Sequence, residues 1–348
     1  MGCRCVTTFP SFSASPVMTG QFQSWLFAEI TQKIPAQLTL AKEIGSLLSL
    51  SSGTVYKKIR GEVPLSLEET LLLVRHYHIS IDRFTAGDKS VLLRYSAFDH
   101  PVSAPPDYLA GLEQQLIGLR QLPNPNIWYA THELPIFYYL YFPELIAFKL
   151  YLWGRVNWQT PVLRETPFHP DTFAALYPTL DALRTRVLNL YASIPSLEFW
   201  PVHTLENTLR QIRLCAISYL IERQVALNLC DHLYALTDHI DLFSTTGIKV
   251  SEDGTASNHF DLYLNQMIYT NNTILVRSDT YNVVFTTLDN PNYLNSDDPF
   301  LIQTIETWME RLRQNTTKIS AEGEMQRNYM LHQMKLRIET IQSELKSL

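Results

Sequence analysis

The sequence predicts two domains of different fold class: an all-α N-terminal domain of about five helices, and a mixed α/β C-terminal domain with an antiparallel meander and a long C-terminal helix. Apolar residues recur every three or four positions as far as residue 86, which is typical of amphipathic helices. A proline-containing connector follows at 87–106, and beyond it β-branched or alternating stretches interrupt the helical pattern. We therefore expect a flexible tail at 1–19, a helical domain at 20–86 and a larger domain at 107–348.

The segment 40–61 has the pattern of two short helices joined by a tight turn. Small Gly45 lies on the inner side of the first helix, where a second helix could cross closely. Ser51 is a suitable N-cap for that second helix, Val55 faces inward, and Gly61 is the kind of residue that ends a helix in the left-handed conformation. The apolar stripe of the first helix consists of Leu40, Ile44, Leu47 and Leu48.

Helices on either side complete the predicted N-terminal domain. Residues 22–34 carry one apolar face and stop before Pro35. Ser66 is followed three residues later by Glu69, which is the pattern of a capping box at the start of a fourth helix. Ser80 then caps a short fifth helix, so that five helices share one core.

The spacing of Gly45, Leu50, Val55 and Gly61 resembles that of the helix-turn-helix in Cro/C1-type (XRE-like) regulators. The sequence VYKKIRGE at 55–62, followed by LSLEE at 65–69, is similar to the BetR-type subgroup of that family. The resemblance covers roughly residues 22–85.

Two positions depart from the family pattern. Ser49 stands in the turn where glycine is usual, and Lys58 stands where an apolar residue is usual. Ile59 is predicted to take over the inward position that Lys58 does not fill.

The resemblance implies a sequence-specific DNA-binding transcription regulator whose recognition helix, 51–61, enters the major groove. Base-edge contacts are expected from Ser52, Gly53, Tyr56 and Lys57, and phosphate contacts from Lys42, Lys58 and Arg60, with Ser51 and Thr54 completing the DNA-binding set. Such domains generally act in pairs, so the resemblance also implies a homodimer that the larger domain forms, with an unknown small-molecule or protein effector. The pattern alone also fits a helical hairpin that does not touch DNA.

The charge of the chain limits how it could bind DNA. Net charge is −6, whereas residues 20–90 hold eight cations and seven acids. A nearly neutral domain with a local basic helix would bind weakly without a partner subunit, because affinity grows with each phosphate neutralised. The same near-neutral charge keeps open a second hypothesis, a protein-interaction module whose helix-turn-helix does not read DNA.

Composition restricts the other function classes. The 348 residues are 46% apolar, so two or three domains with a sizeable core are expected. Four cysteines form no disulfide framework and no zinc-binding spacing, which favours a reducing cytoplasm. No stretch is apolar over enough residues to span a membrane, no metal or cofactor is expected, and either Met1 or Met18 is the start.

The larger domain is predicted from local patterns alone. Helices are expected at 107–121, 172–193, 203–240 and 299–315, strands at 91–98, 126–131 and 196–202, and a three-stranded antiparallel meander at 258–288. The aromatic stretch 135–158 is either core or the lining of a ligand pocket. The final helix, 322–348, has an a/d heptad stripe that would contact either a partner subunit or its own domain; it consists of Leu331, Met334, Ile338, Ile341, Leu345 and Leu348.

Catalytic motifs are missing from the sequence. It contains no GxGxxG, GxxxxGK[ST], GxSxG or HExxH pattern. Asp231-His232 and Asp238-His239 are neighbours on predicted helices and point about 100° apart, while His132-Glu133 lacks a third member. An enzyme with a helix-turn-helix attached is therefore the third hypothesis, and we expect no enzymatic activity.

Overall fold

A computed structural model describes residues 19–34, 39–77, 79–81, 84, 91–95, 102–266, 270–289 and 291–347. The chain forms two compact units, residues 1–92 and 93–348. Both proposed start residues and nearly all of the expected tail lie outside the described residues.

The described part of the first unit contains four helices. They are α1 (Thr19–Lys33), α2 (Leu40–Leu48), α3 (Ser52–Ile59) and α4 (Leu67–His76). Leu26, Ile30, Ile44, Val55 and Leu73 are fully buried at the centre of their shared core. The fifth helix expected after Ser80 falls mainly outside the described residues.

A single mixed sheet organises the second unit. Its strands are β1 (Arg94–Tyr95), β2 (Asn126–Ala130), β3 (Ser196–Trp200), β4 (Ile248–Val250), β5 (Ala256–Leu264), β6 (Thr273–Arg277), β7 (Val283–Asp289), β8 (Asn292–Ser296) and β9 (Thr317–Lys318). They follow the order β1-β8-β7-β6-β2-β3-β5-β4, and β9 pairs with β5. The central pairs β2–β3 and β3–β5 are parallel, whereas the other pairings are antiparallel.

Helices cover both faces of this sheet. They are α5 (Pro105–Arg120), α6 (Ile136–Tyr139), α7 (Pro143–Val156), α8 (Pro161–Glu165), α9 (Pro170–Leu176), α10 (Leu180–Ala192), α11 (Glu206–Ile217), α12 (Arg223–Thr246), α13 (Pro299–Asn315) and α14 (Glu324–Ser347). Alternate residues of each central strand face opposite cores: Leu197 and Phe199 of β3 pack with α13, whereas Trp200 joins the larger core. Burial on both faces is typical of parallel strands at a sheet centre, and all five residues of β3 are buried.

The fold class predicted from the sequence was wrong. It grouped 258–288 into a local three-stranded antiparallel meander, but β5 does not pair with β6. Two strands from earlier in the chain, β2 and β3, lie between them, so that the described residues form one nine-stranded mixed sheet with parallel strands at its centre. Of the all-α domain of about five helices, the described residues show four.

The heptad stripe of the C-terminal helix is buried within the second unit. Met334, Ile338, Ile341 and Leu345 are at most 3% exposed and join the larger core. Ion pairs at the edges of α14 reinforce this packing: Lys335 contacts Asp238 at 2.7 Å, and Arg337 contacts Glu206 at 2.7 Å. The described a/d residues are therefore engaged inside their own unit; Leu348 lies outside the described residues.

Candidate nucleic-acid interface

A close crossing of α2 and α3 fixes the geometry of the candidate surface. Gly45 is buried, and a Cβ added there would lie 2.9 Å from the carbonyl oxygen of Leu50 and 3.8 Å from Val55. The Leu50 N–H donates to the Gly45 carbonyl at 2.9 Å, which closes the turn. Only a residue without a side chain allows this approach.

The turn between the two helices passes through a left-handed residue. Ser49 has φ 56° and ψ 39°, a conformation that costs a non-glycine residue roughly 1–2 kcal/mol. This accounts for the glycine that the resembling family carries at this position.

Replacement of Ser49 by glycine should therefore stabilise the first unit. Relief of the left-handed strain stabilises the folded state. Glycine also stabilises the unfolded chain by roughly 0.4–1 kcal/mol, because it adds conformational freedom there. The net gain in folding stability is about 0.5–1 kcal/mol. Amide hydrogen exchange of α2 and α3 would measure it. Ser46→Gly, on the exposed face of α2, is the matched control and should destabilise by a similar amount; equal effects of the two variants would contradict the assignment.

Backbone groups at both ends of α3 find hydrogen-bond partners close by in the chain. The Ser51 hydroxyl accepts a hydrogen bond from the Thr54 N–H at 3.3 Å, which caps the first turn. At the other end Gly61 has φ 74°, and the Glu62 N–H donates to the Lys57 carbonyl at 2.9 Å.

A buried glutamine connects α1 to the end of α3. The Gln23 side-chain amide donates to the carbonyls of Lys58 and Val63, and its oxygen accepts from the Leu65 N–H. Gln23 is 4% exposed. Three otherwise orphaned backbone groups are satisfied in this way, although the sequence pattern of α1 gave no signal for this role.

Most of the predicted DNA-contacting residues lie on one exposed stretch. Exposed side chains are those of Lys42, Ser51, Ser52, Tyr56, Lys57 and Arg60; Gly53 is exposed as well, and Thr54 is half-buried. The surface made of Lys42, residues 51–54, Tyr56 and Lys57 is called the α3 surface. Among the described residues, Lys42 and Lys57 have no ion-pair partner.

Lys58 does not lie on the α3 surface. It is 6% exposed, and its Nζ contacts a Glu69 carboxylate oxygen at 2.8 Å and donates to the Pro64 carbonyl at 2.9 Å. Ile59 does take the inward role predicted for it, since it is half-buried and packs against the core of the first unit, but Lys58 is buried beside it. A lysine stem packs like an apolar side chain while the amine reaches a partner, so Lys58 is unsuited to contact phosphate.

Arg60 is exposed but engaged with an acid. Its Nε lies 2.6 Å from a Glu62 carboxylate oxygen, and both side chains are at least half exposed. The hydrogen bond from Arg60 holds the pKa of Glu62 below its usual value. A surface pair of this kind is weak, so a phosphate could compete for the guanidinium.

Glu69 holds two groups at once. Its Oε2 accepts from the Ser66 N–H at 2.7 Å, completing the capping box of α4, and from Lys58 at 2.8 Å. Burial acts to raise the pKa of Glu69, but the hydrogen bonds from Lys58 and Ser66 outweigh it and hold the pKa below its usual value.

Titratable residues of the second unit form two buried clusters that the sequence did not reveal. In the first, the Glu133 carboxylate accepts from Asn207 at 3.0 Å and lies 3.9 Å from Lys149. In the second, Glu198 is fully buried near Lys249, whose pKa burial lowers to about 7 against the opposing effect of Glu198. Glu198 accepts four hydrogen bonds from neighbouring side chains, and Glu133 accepts from Asn207 and Asn272, an arrangement typical of structural networks.

The remaining candidates for chemistry are separated. Asp231 accepts a hydrogen bond from Gln342 at 2.7 Å, while His232 lies 3.7 Å from Glu144. Burial raises the pKa of Cys215 to about 11 and that of Cys230 to about 12, so neither thiol is an activated nucleophile.

The described ranges offer neither a metal-binding cluster nor a membrane-spanning helix. No group of three or more His, Cys, Asp or Glu side chains there is arranged to hold a metal ion. No helix in that part of the chain combines the length and apolar character needed to cross a membrane.

No protein-family model, curated protein or solved structure matches this chain.

Proposed function

We propose that this protein is a sequence-specific DNA-binding transcription regulator, with α3 as the recognition helix. The observation that supports this most is the α3 surface: a capped helix start, with small and polar exposed residues, on a hairpin whose inner side is fixed by Gly45 and Val55. A rigid helix with a small-residue N-terminal turn can approach base edges and present its free N–H groups to phosphate.

Each of the predicted DNA-contacting residues has a specific role in this proposal. Ser52, Gly53, Tyr56 and Lys57 read base edges, whereas Lys42 neutralises a phosphate. Arg60 reaches a second phosphate after leaving Glu62. Ser51 and Thr54 keep the helix start in place through their own hydrogen bond, and Lys58 supports the fold rather than the contact.

Each protomer has few cations available to contact phosphate, so the proposal includes a homodimer. Two phosphate contacts give a slope of log affinity against log salt of only about −2, and a dimer doubles it. The described a/d residues of α14 are buried in their own unit, so the dimer contact must use another surface.

The test is selection from a pool of random-sequence DNA duplexes by the full-length protein at low salt. We expect one enriched motif with two half-sites about one helical turn apart. Lys57→Ala and Tyr56→Ala should weaken binding to that motif by roughly 1–3 kcal/mol each and relax its sequence preference.

Lys42→Ala should behave differently from these two variants. It should weaken binding to all sequences alike and reduce the salt slope by about 1 per protomer. Lys346→Ala, which removes an exposed cation from the end of α14, is the control of equal charge and should leave both quantities unchanged. Unchanged affinity and preference after Lys57→Ala and Tyr56→Ala would reject the groove assignment.

A protein-interaction module remains the second candidate function. Lys58 and Arg60 are both engaged by acids, Glu69 and Glu62, which reduces the positive charge available to DNA. Failure of the folded protein to enrich any DNA sequence at low salt would reject the regulator and favour this candidate.

A further inference from the structure

An apolar cavity lies inside the second unit, between α5 and one face of the sheet. Its volume is about 360 Å³, within the range of roughly 300–1,000 Å³ that is usual for small-molecule sites. An engineered cavity of about 150 Å³ holds one benzene, so this space accommodates about two fused rings.

Apart from Gln115, the walls of the cavity are mainly aliphatic and aromatic. Leu112 and Leu116 of α5 face Ile274 and Val283 of the sheet, and Phe137 of α6 closes one side. None of the described residues that line it carries a formal charge. An ionised ligand would lose its hydration here without a partner, so the walls select an uncharged molecule.

The inner end of the cavity is polar. Tyr129 and Tyr293 line both this cavity and a small polar recess of about 10 Å³ that Glu133 and Lys149 also line. The two tyrosine hydroxyls lie 3.3 Å apart. The two hydroxyls together have four lone pairs. The hydrogen bond between them and the contact of Tyr293 with Thr287 leave acceptor capacity for a hydroxyl of a ligand.

The two tyrosine hydroxyls stay neutral. Burial is the main cause that raises the pKa of both Tyr129 and Tyr293. The Glu133 carboxylate raises both pKa values further and so disfavours an anion at this end, while Lys149 lies 3.9 Å from Glu133 and burial lowers its own pKa. The inner end is therefore suited to a neutral hydroxyl group and unsuited to a carboxylate.

The outer end of the cavity has an opening. A Cβ added at Gly118 of α5 would meet no atom within 4 Å, and Tyr281 on the opposite side is 44% exposed.

Within the aromatic stretch 135–158, Phe137 lines the cavity, whereas Tyr138, Tyr139, Phe148 and Tyr151 are fully buried core.

We propose that this cavity binds an uncharged, mainly apolar small molecule of about two fused rings, with one hydroxyl group directed at Tyr129 and Tyr293. The inference concerns the second unit alone and does not depend on DNA binding by the first. A ligand of this kind gains from burial of its rings and from one neutral hydrogen bond at the inner end.

Equilibrium dialysis of the full-length protein against three related probes, without DNA, tests the proposal. 2-Naphthol should bind saturably, naphthalene about two- to tenfold more weakly, and 2-naphthoate at least tenfold more weakly than 2-naphthol. Absence of saturable binding by 2-naphthol, or binding of 2-naphthoate as tight as that of 2-naphthol, would overturn it.

Two variants locate the binding. Ile274→Trp places a larger side chain in the empty space and should abolish binding of all three probes. Tyr129→Phe/Tyr293→Phe keeps both rings and should bring 2-naphthol down to the affinity of naphthalene, while naphthalene itself binds as before. Unchanged binding by Ile274→Trp with a native circular dichroism spectrum, or a preference for 2-naphthol that survives in the double variant, would contradict the assignment.

Discussion

Replacement of Glu198 by alanine is expected to destabilise the second unit by about 3–5 kcal/mol, the range seen when one member of a buried charged network is removed. Glu198 is fully buried on β3. Its Oε1 accepts from the Tyr138 hydroxyl at 2.9 Å, from the Ser196 hydroxyl at 2.8 Å and from the Tyr191 hydroxyl, and its Oε2 accepts from the Trp200 indole at 2.9 Å. The variant removes the acceptor that four buried donors share, and each donor left unmet is costly.

Lys249 adds to the cost of that substitution. It is 2% exposed, donates to the Tyr191 carbonyl at 3.0 Å, and lies 4.1 Å from the centre of the Tyr191 ring. Burial lowers its pKa, and Glu198 is the charge that opposes this lowering. Without Glu198 the pKa of Lys249 falls further, and the amine must be buried either charged and unpaired or neutral.

Urea unfolding followed by tryptophan fluorescence measures this effect, because five of the six tryptophans (Trp128, Trp153, Trp158, Trp200 and Trp308) belong to the second unit. Glu339→Ala, on the exposed face of α14, is the control and should change stability by less than about 0.5 kcal/mol. The stability loss in Glu198→Gln should fall between the two, because the amide oxygen still accepts hydrogen bonds whereas the amide NH2 group points at neighbouring donors. A Glu198→Ala loss no larger than that of the control would show that the network contributes no stability.

The sequence could predict elements wherever the information is local. The capping box of Ser66 and Glu69 is confirmed, as is the Ser51 cap of α3, because both depend on residues three apart. Lys58 shows the limit of prediction from local sequence. A pattern that counts lysine as polar places it outward, but its partner Glu69 lies eleven residues further along and on another helix.

Strand order was beyond local information. The pattern at 196–202 predicts a strand, but nothing in it specifies β2 and β5 as its parallel neighbours, since these are separated from it by helices. The alternation of Ser-Leu-Glu-Phe-Trp likewise suggests that Glu198 faces water. Its burial follows from the helices that cover that face, and these are known only once the sheet is assembled.

The second large effect is expected in the first unit, where Glu69→Ala should cost roughly 2–4 kcal/mol. Loss of the capping box accounts for about 1 kcal/mol. The remainder comes from Lys58, whose ammonium would stay buried without its carboxylate. Removal of one partner from a fully buried ion pair costs about 3–5 kcal/mol. The cost is smaller here because the Glu69 side chain is 21% exposed and solvent screens the pair.

Three variants separate the two contributions of Glu69. Glu69→Gln keeps an acceptor for the capping box but weakens the interaction with Lys58. Lys58→Met/Glu69→Gln also removes the buried charge, and should recover most of the lost stability because a methionine fills the space of the lysine stem. Glu68→Ala is the control, since it removes a neighbouring carboxylate from an exposed position.

Amide hydrogen exchange in α3 and α4, read by mass spectrometry, reports the stability of the first unit directly. Glu69→Ala should accelerate exchange there about 30- to 1,000-fold, Lys58→Met/Glu69→Gln far less, and Glu68→Ala little. Equal acceleration in Glu69→Ala and Glu68→Ala would mean that the Lys58 pair contributes nothing. If the double variant matched Glu69→Ala instead, the cost would lie in the loss of the Lys58 contacts themselves and not in an unpaired buried charge.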